Sequence, residues 1–305
     1  MLDGTSSDSE QRPREEHRPG VGSNPATDPT VAEREVEDAF LRVVDEGRRR
    51  MSRRWTSLLA TGAVGGIDVG SGVLGLLLVE AATGSKLLGG VAFSIGFIAL
   101  TLARSELFTE NFLIPVSTVI ARQARTRMLL RLWAGTLITN LLAGWLFTWL
   151  IMRGFPSLSR TAVQAGYHYV QLGTGLRAFC LAVLGGAVIT LMTWMQHTTP
   201  GPVAGVGAAM LAGFLLAGGS LDHAIVSSLL MFAALHTGHA PFGYGQWAVT
   251  AGYAALGNMV GGIALVTVLR LLQVPHRVKQ ERDHPAPGVP IGDGRRAEDL
   301  HTEVA

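Results

Sequence analysis

Residues 201–237 read GPVAGVGAAMLAGFLLAGGSLDHAIVSSLLMFAALHT. This stretch of 37 residues is apolar except at its middle, where residues 218–223, GGSLDH, interrupt it. A membrane-spanning helix needs about 20 apolar residues, so the stretch is too long for one straight span. Irregular backbone at membrane depth is tolerated only where protein buries it or where it lines a polar cavity. The sequence therefore predicts a broken membrane helix beside a pore or a binding site.

A second broken helix is predicted in residues 87–121, which are apolar except for residues 104–111, RSELFTEN. This stretch is also longer than one span, and its charged centre needs the same protected setting. With four unbroken stretches, the sequence predicts six transmembrane helices, of which helices 2 and 5 are broken. The stretches cover residues 55–82, 87–121, 128–152, 170–195, 201–237 and 247–273.

Charge is concentrated at the two ends of the chain. Charged residues are 16% of the 305 residues, against about 25% in a typical soluble domain, and only 15 of them lie in residues 55–274. A water-soluble domain of that size could not cover its surface with so few charges, which argues against a soluble enzyme. We expect a disordered tail at 1–30, an amphipathic cytoplasmic helix along the membrane surface at 31–54, a channel domain at 55–274 and a disordered cytoplasmic tail at 275–305.

The distribution of arginine predicts the orientation. Arginines cluster before the first span, between the second and third spans and after the sixth, whereas the opposite loops carry only Lys86, Arg153 and Arg160. The positive-inside rule then places both termini in the cytoplasm. We expect a multi-pass protein of the cytoplasmic (inner) membrane, with arginines that orient it in the bilayer rather than bind nucleic acid.

A weak internal repeat relates the two halves. Residues 140–144, NLLAG, resemble residues 258–262, NMVGG, at an offset of 118 residues, and the same offset places Ser105 on His223. Three spans per half is an odd number, so the halves must be inserted with opposite orientation. This predicts a 3+3 inverted repeat with its site between the broken helices.

Four segments together resemble the formate/nitrite transporter family, in a divergent and poorly characterised branch. They are residues 105–109, SELFT; 140–144, NLLAG; 188–194, VITLMTW; and 216–225, LAGGSLDHAI. The resemblance implies an aquaporin-like fold, a homopentamer in the lipid bilayer and one pore per protomer for small monovalent anions. It implies no cofactor and no metal.

The resemblance also assigns the pore residues. His223 is implied as the central pore histidine, Phe108 and Thr109 as part of the cytoplasmic constriction, and Leu216 as a second constricting residue. The full set of pore or substrate residues is Leu107, Phe108, Thr109, Leu216, Asp222 and His223. Arg104, Glu110 and Gly186 depart from the family pattern, and the lysine expected before the fourth span is missing.

Five charged residues are assigned to the pore mouth or to structure: Asp68, Arg104, Glu106, Glu110 and Arg177. Arg104 is expected to pair with Glu106 or Glu110. Asp68 lies in the first span and needs a partner, for which Arg177 is a candidate, or else takes up a proton. A hydrogen bond within the fold and a proton relay are the two roles open to Asp68.

The residues themselves support a role for His223. An ionisable group at the bilayer centre is costly and usually functional, and imidazole can both donate a hydrogen bond and exchange a proton near neutral pH. We therefore predict a channel-like transporter for small weak-acid anions, linked to protons through His223. The alternatives are a channel of the same fold for a neutral or cationic solute, and a membrane sensor or scaffold that transports nothing. An intramembrane enzyme is not expected.

Overall fold

The computed structural model describes residues 30–287 and Val289, and this part of the chain is helical without a β-strand. The helices are α1 (Val31–Ser52), α2 (Trp55–Thr83), α3 (Lys86–Ala103), α4 (Ile114–Ile120), α5 (Thr126–Gly154), α6 (Ser159–Leu172), α7 (Leu176–Thr198), α8 (Pro202–Gly213), α9 (Ala224–His236), α10 (Tyr244–Met259), α11 (Leu269–Leu272) and α12 (Pro275–Asp283). The 3₁₀ turns are Phe108–Phe112 and Pro156–Leu158, and the π-helical segments are Phe214–Gly218 and Val260–Val268. The predicted tail at 1–30 lies outside the described residues except for Thr30.

Five helical segments are long and apolar enough to cross a membrane: Trp55–Thr83, Lys86–Ala103, Thr126–Gly154, Leu176–Thr198 and Tyr244–Leu272. Three shorter apolar segments accompany them: Phe108–Ile120, Pro202–Gly218 and Ala224–His236. The two stretches predicted to be broken are thus each divided into two helical pieces. The predicted all-α membrane fold is confirmed, whereas the total of six spans stays a prediction.

The first break separates α3 from the 3₁₀ turn Phe108–Phe112. Helix α3 ends at Arg104, whose φ of 54° lies in the left-handed region, and the N–H of Ser105 donates to the carbonyl of Leu100 at 3.2 Å. The chain then turns into α4, which carries Pro115 in its first turn, where a proline costs no helical hydrogen bond. The break therefore has a defined backbone rather than a frayed helix end.

The second break follows the π-helical segment Phe214–Gly218. The chain turns at Ser220, with a φ of 49°, and the N–H of Leu221 donates to the carbonyl of Leu216 at 2.9 Å. Helix α9 begins one residue after His223. Such π-helical segments occur mostly where a helix has been adapted to a functional site.

Helix α1 packs against the protein rather than lying free along the membrane surface. Its capping box joins the hydroxyl of Thr30 to the N–H of Glu33 at 3.3 Å, and the carboxylate of Glu33 to the N–H of Thr30 at 2.6 Å. The apolar face of α1 packs on α4 and on the end of α7, through Ala39, Val43, Leu113, Ile114 and Trp194. A Cβ on Gly47 would overlap the hydroxyl of Thr118, so α1 and α4 are in close contact.

The sequence predicted disorder from residue 275, and this is wrong for Pro275–Asp283, which form α12. The helix is held to α1 by Arg277, whose Nε donates to the carboxylate of Glu37 at 2.7 Å. The side-chain amide of Gln123 also donates to the carbonyl of Glu281 at 2.7 Å. Composition alone suggested disorder because the residues that hold α12 come from distant segments.

Candidate functional site

Asn140 of α5 holds the first break in place. Its Oδ1 accepts a hydrogen bond from the N–H of Phe108 at 2.8 Å. Its Nδ2 donates to the carbonyl of Glu106 at 2.9 Å and to the carbonyl of Gly62 at 2.6 Å. Since the side chain is fully buried, the bonds to Phe108 and Glu106 replace water that the backbone of a broken helix would otherwise need. The bond to Gly62 ties the break to α2.

Asn258 of α10 holds the second break with the same pattern. Its Oδ1 accepts from the N–H of Ala224 at 2.9 Å, and its Nδ2 donates to the carbonyls of Asp222 at 2.9 Å and Ala182 at 2.7 Å. A buried asparagine thus binds the residues just before and just after the middle of each break. The repeat that the sequence suggested at these asparagines is present in the hydrogen bonding.

The repeat register at the breaks differs from the one predicted. The equivalent bonds relate Phe108 to Ala224 and Glu106 to Asp222. His223 therefore corresponds to Leu107, not to Ser105, because the offset at the breaks is two residues shorter than between the asparagines. The first half carries an apolar side chain where the second half carries imidazole.

Glycine pairs let the asparagines approach the neighbouring helices. A Cβ on Gly65 would overlap the carbonyl of Glu106, and one on Gly66 the carbonyl of Asn140. In the second half, a Cβ on Gly185 would meet the carbonyl of Asp222, and one on Gly186 the carbonyl of Asn258. Gly186, a departure from the family pattern, is thus required by this close backbone contact.

His223 joins the two breaks. Its Nε2 lies 2.7 Å from the hydroxyl of Thr109, and its Nδ1 accepts a hydrogen bond from the N–H of Val226 at 3.3 Å. Because Nδ1 is an acceptor, the neutral ring carries its hydrogen on Nε2 and donates it to Thr109. The side chain also caps the N-terminus of α9, and both His223 and Thr109 are fully buried.

Two cavities lie at opposite ends of α3. The inner cavity, on the arginine-rich side, has a volume of about 830 Å³ and is lined by residues that include Arg50, Arg53, Arg104, Ser105, Glu110 and His197. The outer cavity has a volume of about 220 Å³ and is lined by residues that include Leu76, Glu80, Lys86, His168, Tyr169 and Ser220. Lys86 begins α3 and lines the outer cavity, whereas Leu100 and Arg104 at the other end of α3 line the inner cavity, so the two cavities lie at opposite ends of that helix.

Large apolar side chains are buried in α3 and at the two breaks. Leu107 and Leu216 are fully buried, as are Phe93 and Phe97, whose ring centroids are 5.2 Å apart. Phe93 and Phe97 share one face of α3 with Leu100, which lines the inner cavity. Sequence reasoning missed both phenylalanines, although their spacing to Leu100 was a visible signal.

Phe108 lies in an aromatic cluster. Its ring meets Phe112 edge to face with centroids 5.1 Å apart and Trp133 with centroids 6.4 Å apart. The indole N–H of Trp133 donates to the carbonyl of Asn111 at 3.0 Å. The ring of Phe108 therefore packs within the protein and holds the 3₁₀ turn that carries Thr109.

The acidic residues of the first break pair with α1 and not with Arg104, which corrects the predicted ion pair. The carboxylate of Glu106 pairs with Arg53 and lies 3.5 Å from the guanidinium of Arg50. Arg50 also lies 3.8 Å from Glu110. Arg104 is exposed and forms no ion pair with the described residues. Sequence reasoning treated the arginines of α1 only as orientation signals and so missed this cluster.

Three other predicted residues lie outside the His223 contacts. Asp68 accepts a hydrogen bond from the hydroxyl of Ser105 at 2.5 Å, so its partner is Ser105 and not Arg177. Arg177 is exposed and forms no ion pair among the described residues. Asp222 is buried, and its Oδ1 has no hydrogen-bond partner in the described structure. Among the described residues no group of three or more His, Cys, Asp or Glu is placed to hold a metal ion.

Comparison with known protein families decides what kind of molecule carries this site. The family model described as "Formate/nitrite transporter" matches residues 37–272, which include both breaks and both asparagines. The chain belongs to the formate/nitrite transporter family. It is a multi-pass membrane protein of that family, and the resemblance of the two breaks to the family's segments is confirmed.

Relatives within the formate/nitrite transporter family have similar length. The chain is 28% identical over 251 residues to the inner membrane protein YfdC of Escherichia coli, covering 78% of each chain. It is 24% identical over 255 residues to the uncharacterized transporter YrhG of Bacillus subtilis, covering 78% of this chain and 93% of YrhG. The formate channel FocA of Escherichia coli is 28% identical over 120 residues, which are 37% of this chain and 41% of FocA.

Solved structures of the formate/nitrite transporter family share the fold. An "FNT family ion channel" superposes with a TM-score of 0.70 at 18% identity, over 78% of this chain and 99% of that one. A "pentameric formate channel with formate bound" superposes with a TM-score of 0.58 at 21% identity, over 72% of this chain and 96% of that one. The predicted aquaporin-like arrangement is consistent with these superpositions.

Proposed function

We propose that the chain is a channel-like transporter for small monovalent weak-acid anions of the formate and nitrite class, with His223 as the hydrogen-bond and proton donor of its pore. The observation that carries this proposal is the buried pair of His223 and Thr109, which joins the two helix breaks. The described residues offer no other imidazole that is fully buried at this depth. Membership of the formate/nitrite transporter family supports the substrate class.

The inner cavity can concentrate anions. Arg49, Arg50, Arg53 and Arg104 line it, against the carboxylates of Glu46 and Glu110. A cavity lined mainly by one sign of charge raises the local concentration of counter-ions. The N-terminus of α9 directs its positive end towards the break at His223, which also favours negative charge there.

The apolar region beyond the cavities favours the neutral acid over the anion. A carboxylate that leaves water becomes a stronger base, because burial disfavours its charged form. One proton enters with each anion, and the ring of His223 holds it as imidazolium until it passes to a carboxylate oxygen. A neutral acid and a neutral imidazole result, and the acid crosses between Leu107, Leu216 and the two phenylalanines at lower cost.

The hydrogen bond between His223 and Thr109 limits how an anion can reach the histidine ring. In this closed arrangement the Nε2 hydrogen of His223 is already donated to the Thr109 hydroxyl. An anion must therefore displace Thr109 to reach the ring, which couples binding at the histidine to movement of the 3₁₀ turn Phe108–Phe112.

We extend the proposal to assembly and orientation. One of the solved structures that share the fold is described as a pentameric formate channel, and we propose a homopentamer with one pore in each protomer. The clusters of arginine before α2, between α4 and α5 and after α11 support cytoplasmic termini.

Anion flux into proteoliposomes tests the proposal, with an internal pH dye to follow the accompanying proton. The His223→Phe variant should lose formate and nitrite flux by at least tenfold, whereas the matched His239→Phe variant should keep it. His239→Phe is the appropriate control because it makes the same substitution at another histidine near a helix end, one to which the proposal gives no role in transport. Normal flux through a correctly assembled His223→Phe pentamer would contradict the proposed mechanism.

The same assay separates the competing functions. Flux of ammonium or water that does not depend on His223 would favour a channel for cationic or neutral solutes. A folded pentamer that passes none of formate, nitrite, hydrosulfide, acetate, ammonium or water would favour a sensor or scaffold.

A further inference from the structure

A third cavity, with an amphipathic lining, lies away from the pore, where the last spanning segment meets α12. Its volume is about 480 Å³. Its apolar lining is formed by Ile120 at the end of α4, by Val268, Leu271 and Leu272 at the end of the last span, and by Pro275 and Val278 of α12. Its charged lining is formed by Arg122, Lys279, Arg282 and Asp283. The pore mechanism uses none of these residues.

The cavity lies at the edge of the bilayer. The last spanning segment, Tyr244–Leu272, ends at its apolar wall, and Leu272 is itself 66% exposed. Helix α12 begins three residues later and is polar. The apolar wall is thus at the depth where acyl chains begin, and the charged side chains are at the depth of the headgroups.

Three cations around this cavity form no ion pair with a carboxylate of residues 30–287. On the same side of the membrane, Arg48, Arg49, Arg50, Arg53 and Arg277 all form ion pairs with carboxylates of the described residues. Arg122, Lys279 and Arg282 form none within residues 30–287. Asp283 is the only carboxylate among the described residues that line the cavity, so the charged side chains of this lining sum to +2.

The backbone of Arg122 is held in a fixed position beside the cavity. Its φ of 57° lies in the left-handed region, and its carbonyl accepts a hydrogen bond from the N–H of Ala286 at 3.3 Å. The adjacent Gln123 donates to the carbonyls of Glu281 and His284 at 2.7 and 3.0 Å. These bonds hold the segment after α4, which carries Arg122, to the segment after α11, which carries Lys279 and Arg282. The three cations therefore line the same cavity.

We propose that this cavity binds an acidic phospholipid from the membrane leaflet on the arginine-rich side of the protein. The phosphodiester is recognised by Arg122, Lys279 and Arg282, and the start of an acyl chain packs on Val268, Leu271 and Leu272. The combination of an apolar wall with unpaired cations at the headgroup level matches an anionic lipid better than a soluble anion, which has no use for the apolar wall. The folded α12 forms one side of this site.

Thermal unfolding of the delipidated full-length protein in neutral detergent tests the proposal, followed by tryptophan fluorescence during titration with phosphatidylglycerol. We expect phosphatidylglycerol to raise the midpoint of unfolding, and phosphatidylcholine and glycerol 3-phosphate to leave it unchanged. The Arg122→Gln variant should bind phosphatidylglycerol about fivefold more weakly, since one basic residue near the membrane surface contributes about 1 kcal/mol.

Arg54→Gln is the matched control, because Arg54 is exposed on the same side and does not line the cavity. Its affinity for phosphatidylglycerol should be unchanged. Val278→Trp fills the cavity without altering charge and should abolish the effect of the lipid. An equal loss in Arg54→Gln, an undiminished effect in Val278→Trp, or the same stabilisation by phosphatidylcholine or by glycerol 3-phosphate would each overturn the proposal.

Discussion

Asn140 and Asn258 are 118 residues apart, and each makes the same three backbone hydrogen bonds in its own half of the molecule. Each side chain accepts one N–H at the start of a helical turn and donates to two carbonyls, one of them in the break. Helical backbone hydrogen bonding is interrupted at two breaks, and an asparagine side chain supplies hydrogen bonds at both. The arrangement follows from an inverted repeat, in which equivalent breaks meet at the centre of the protein.

Replacing either asparagine should destabilise the fold strongly. Asn258→Ala leaves the buried N–H of Ala224 and the buried carbonyl of Asp222 without their side-chain partner, and each such group costs about 1–3 kcal/mol. We expect a loss of about 3 kcal/mol or more in the free energy of unfolding, measured by thermal unfolding in detergent. Gln246→Ala, which removes a single exposed capping bond to Gly243, should cost under about 1 kcal/mol. Similar losses of stability in Asn258→Ala and Gln246→Ala would contradict the role assigned to Asn258.

A methyl group at Gly186 should also be costly. The added Cβ would overlap the backbone of Asn258, and two helices would have to separate to accept it. We expect Gly186→Ala to lower the free energy of unfolding by about 1–3 kcal/mol. Gly252→Ala makes the same change in α10, where a Cβ would meet nothing within 4 Å, and should be neutral or slightly stabilising. Tolerance of Gly186→Ala in an unfolding assay would show that the helices are less closely packed there.

Two neighbouring arginines of α1 should behave differently. The side chain of Arg50 is only 12% exposed and lies among Glu46, Glu106 and Glu110. Arg50→Leu would leave the buried carboxylate of Glu110 without a counter-charge, whereas Glu46 and Glu106 would keep Arg49 and Arg53. We expect a loss of about 3 kcal/mol in stability. Arg49 is 60% exposed and pairs with Asp45 and Glu46 on the surface, so Arg49→Leu should cost under about 1 kcal/mol.

Adding Glu110→Gln to Arg50→Leu should restore part of the stability, because the uncompensated carboxylate is then removed. A double-mutant cycle on purified protein measures this coupling. Additive losses would mean that Arg50 and Glu110 do not interact.

Attachment of α12 should depend on acidic pH. The hydrogen bond from Arg277 lowers the pKa of Glu37 below its ordinary value of 4.5. A carboxylate whose pKa is lowered on folding stabilises the folded state above its ordinary pKa and ceases to do so as the pH falls through the lowered pKa. We therefore expect this ion pair to hold α12 fully from pH 7 to about pH 5, and the attachment to weaken by about threefold as the pH falls below about 4.5 and through the lowered pKa of Glu37.

Disulfide trapping between α1 and α12 measures this attachment. Cys180 is the only cysteine, so Cys180→Ser provides a background in which Asp38→Cys and His276→Cys report proximity. In that background Glu37→Gln should weaken trapping at neutral pH by about threefold, as befits a partly exposed ion pair. Because the thiolate fraction also falls with pH, trapping is compared with that of Glu37→Gln at each pH. A ratio between the two proteins that is the same at pH 7 and pH 4 would contradict the role of Glu37.

Both helix breaks could be predicted from the sequence, because length and hydropathy are local properties. A stretch of 37 apolar residues with GGSLDH at its centre cannot form one span. The partners of the residues in the breaks were harder to predict. Arg104 was expected to pair with Glu106 or Glu110. Glu106 instead pairs with Arg53, which directly follows α1. Hydropathy does not specify how far a helix is rotated about its axis, and that rotation decides which side chains meet.

The sequence by itself determined that this is a membrane protein, since the 15 charges of residues 55–274 cannot cover the surface of a water-soluble domain of that size. It also determined where the helices break and that His223 lies at a break. Only the tertiary structure decided that His223 meets Thr109, 114 residues away, that Leu107 is its counterpart, and that α12 is folded. These depend on contacts between distant segments, which form only when the two halves pack against each other.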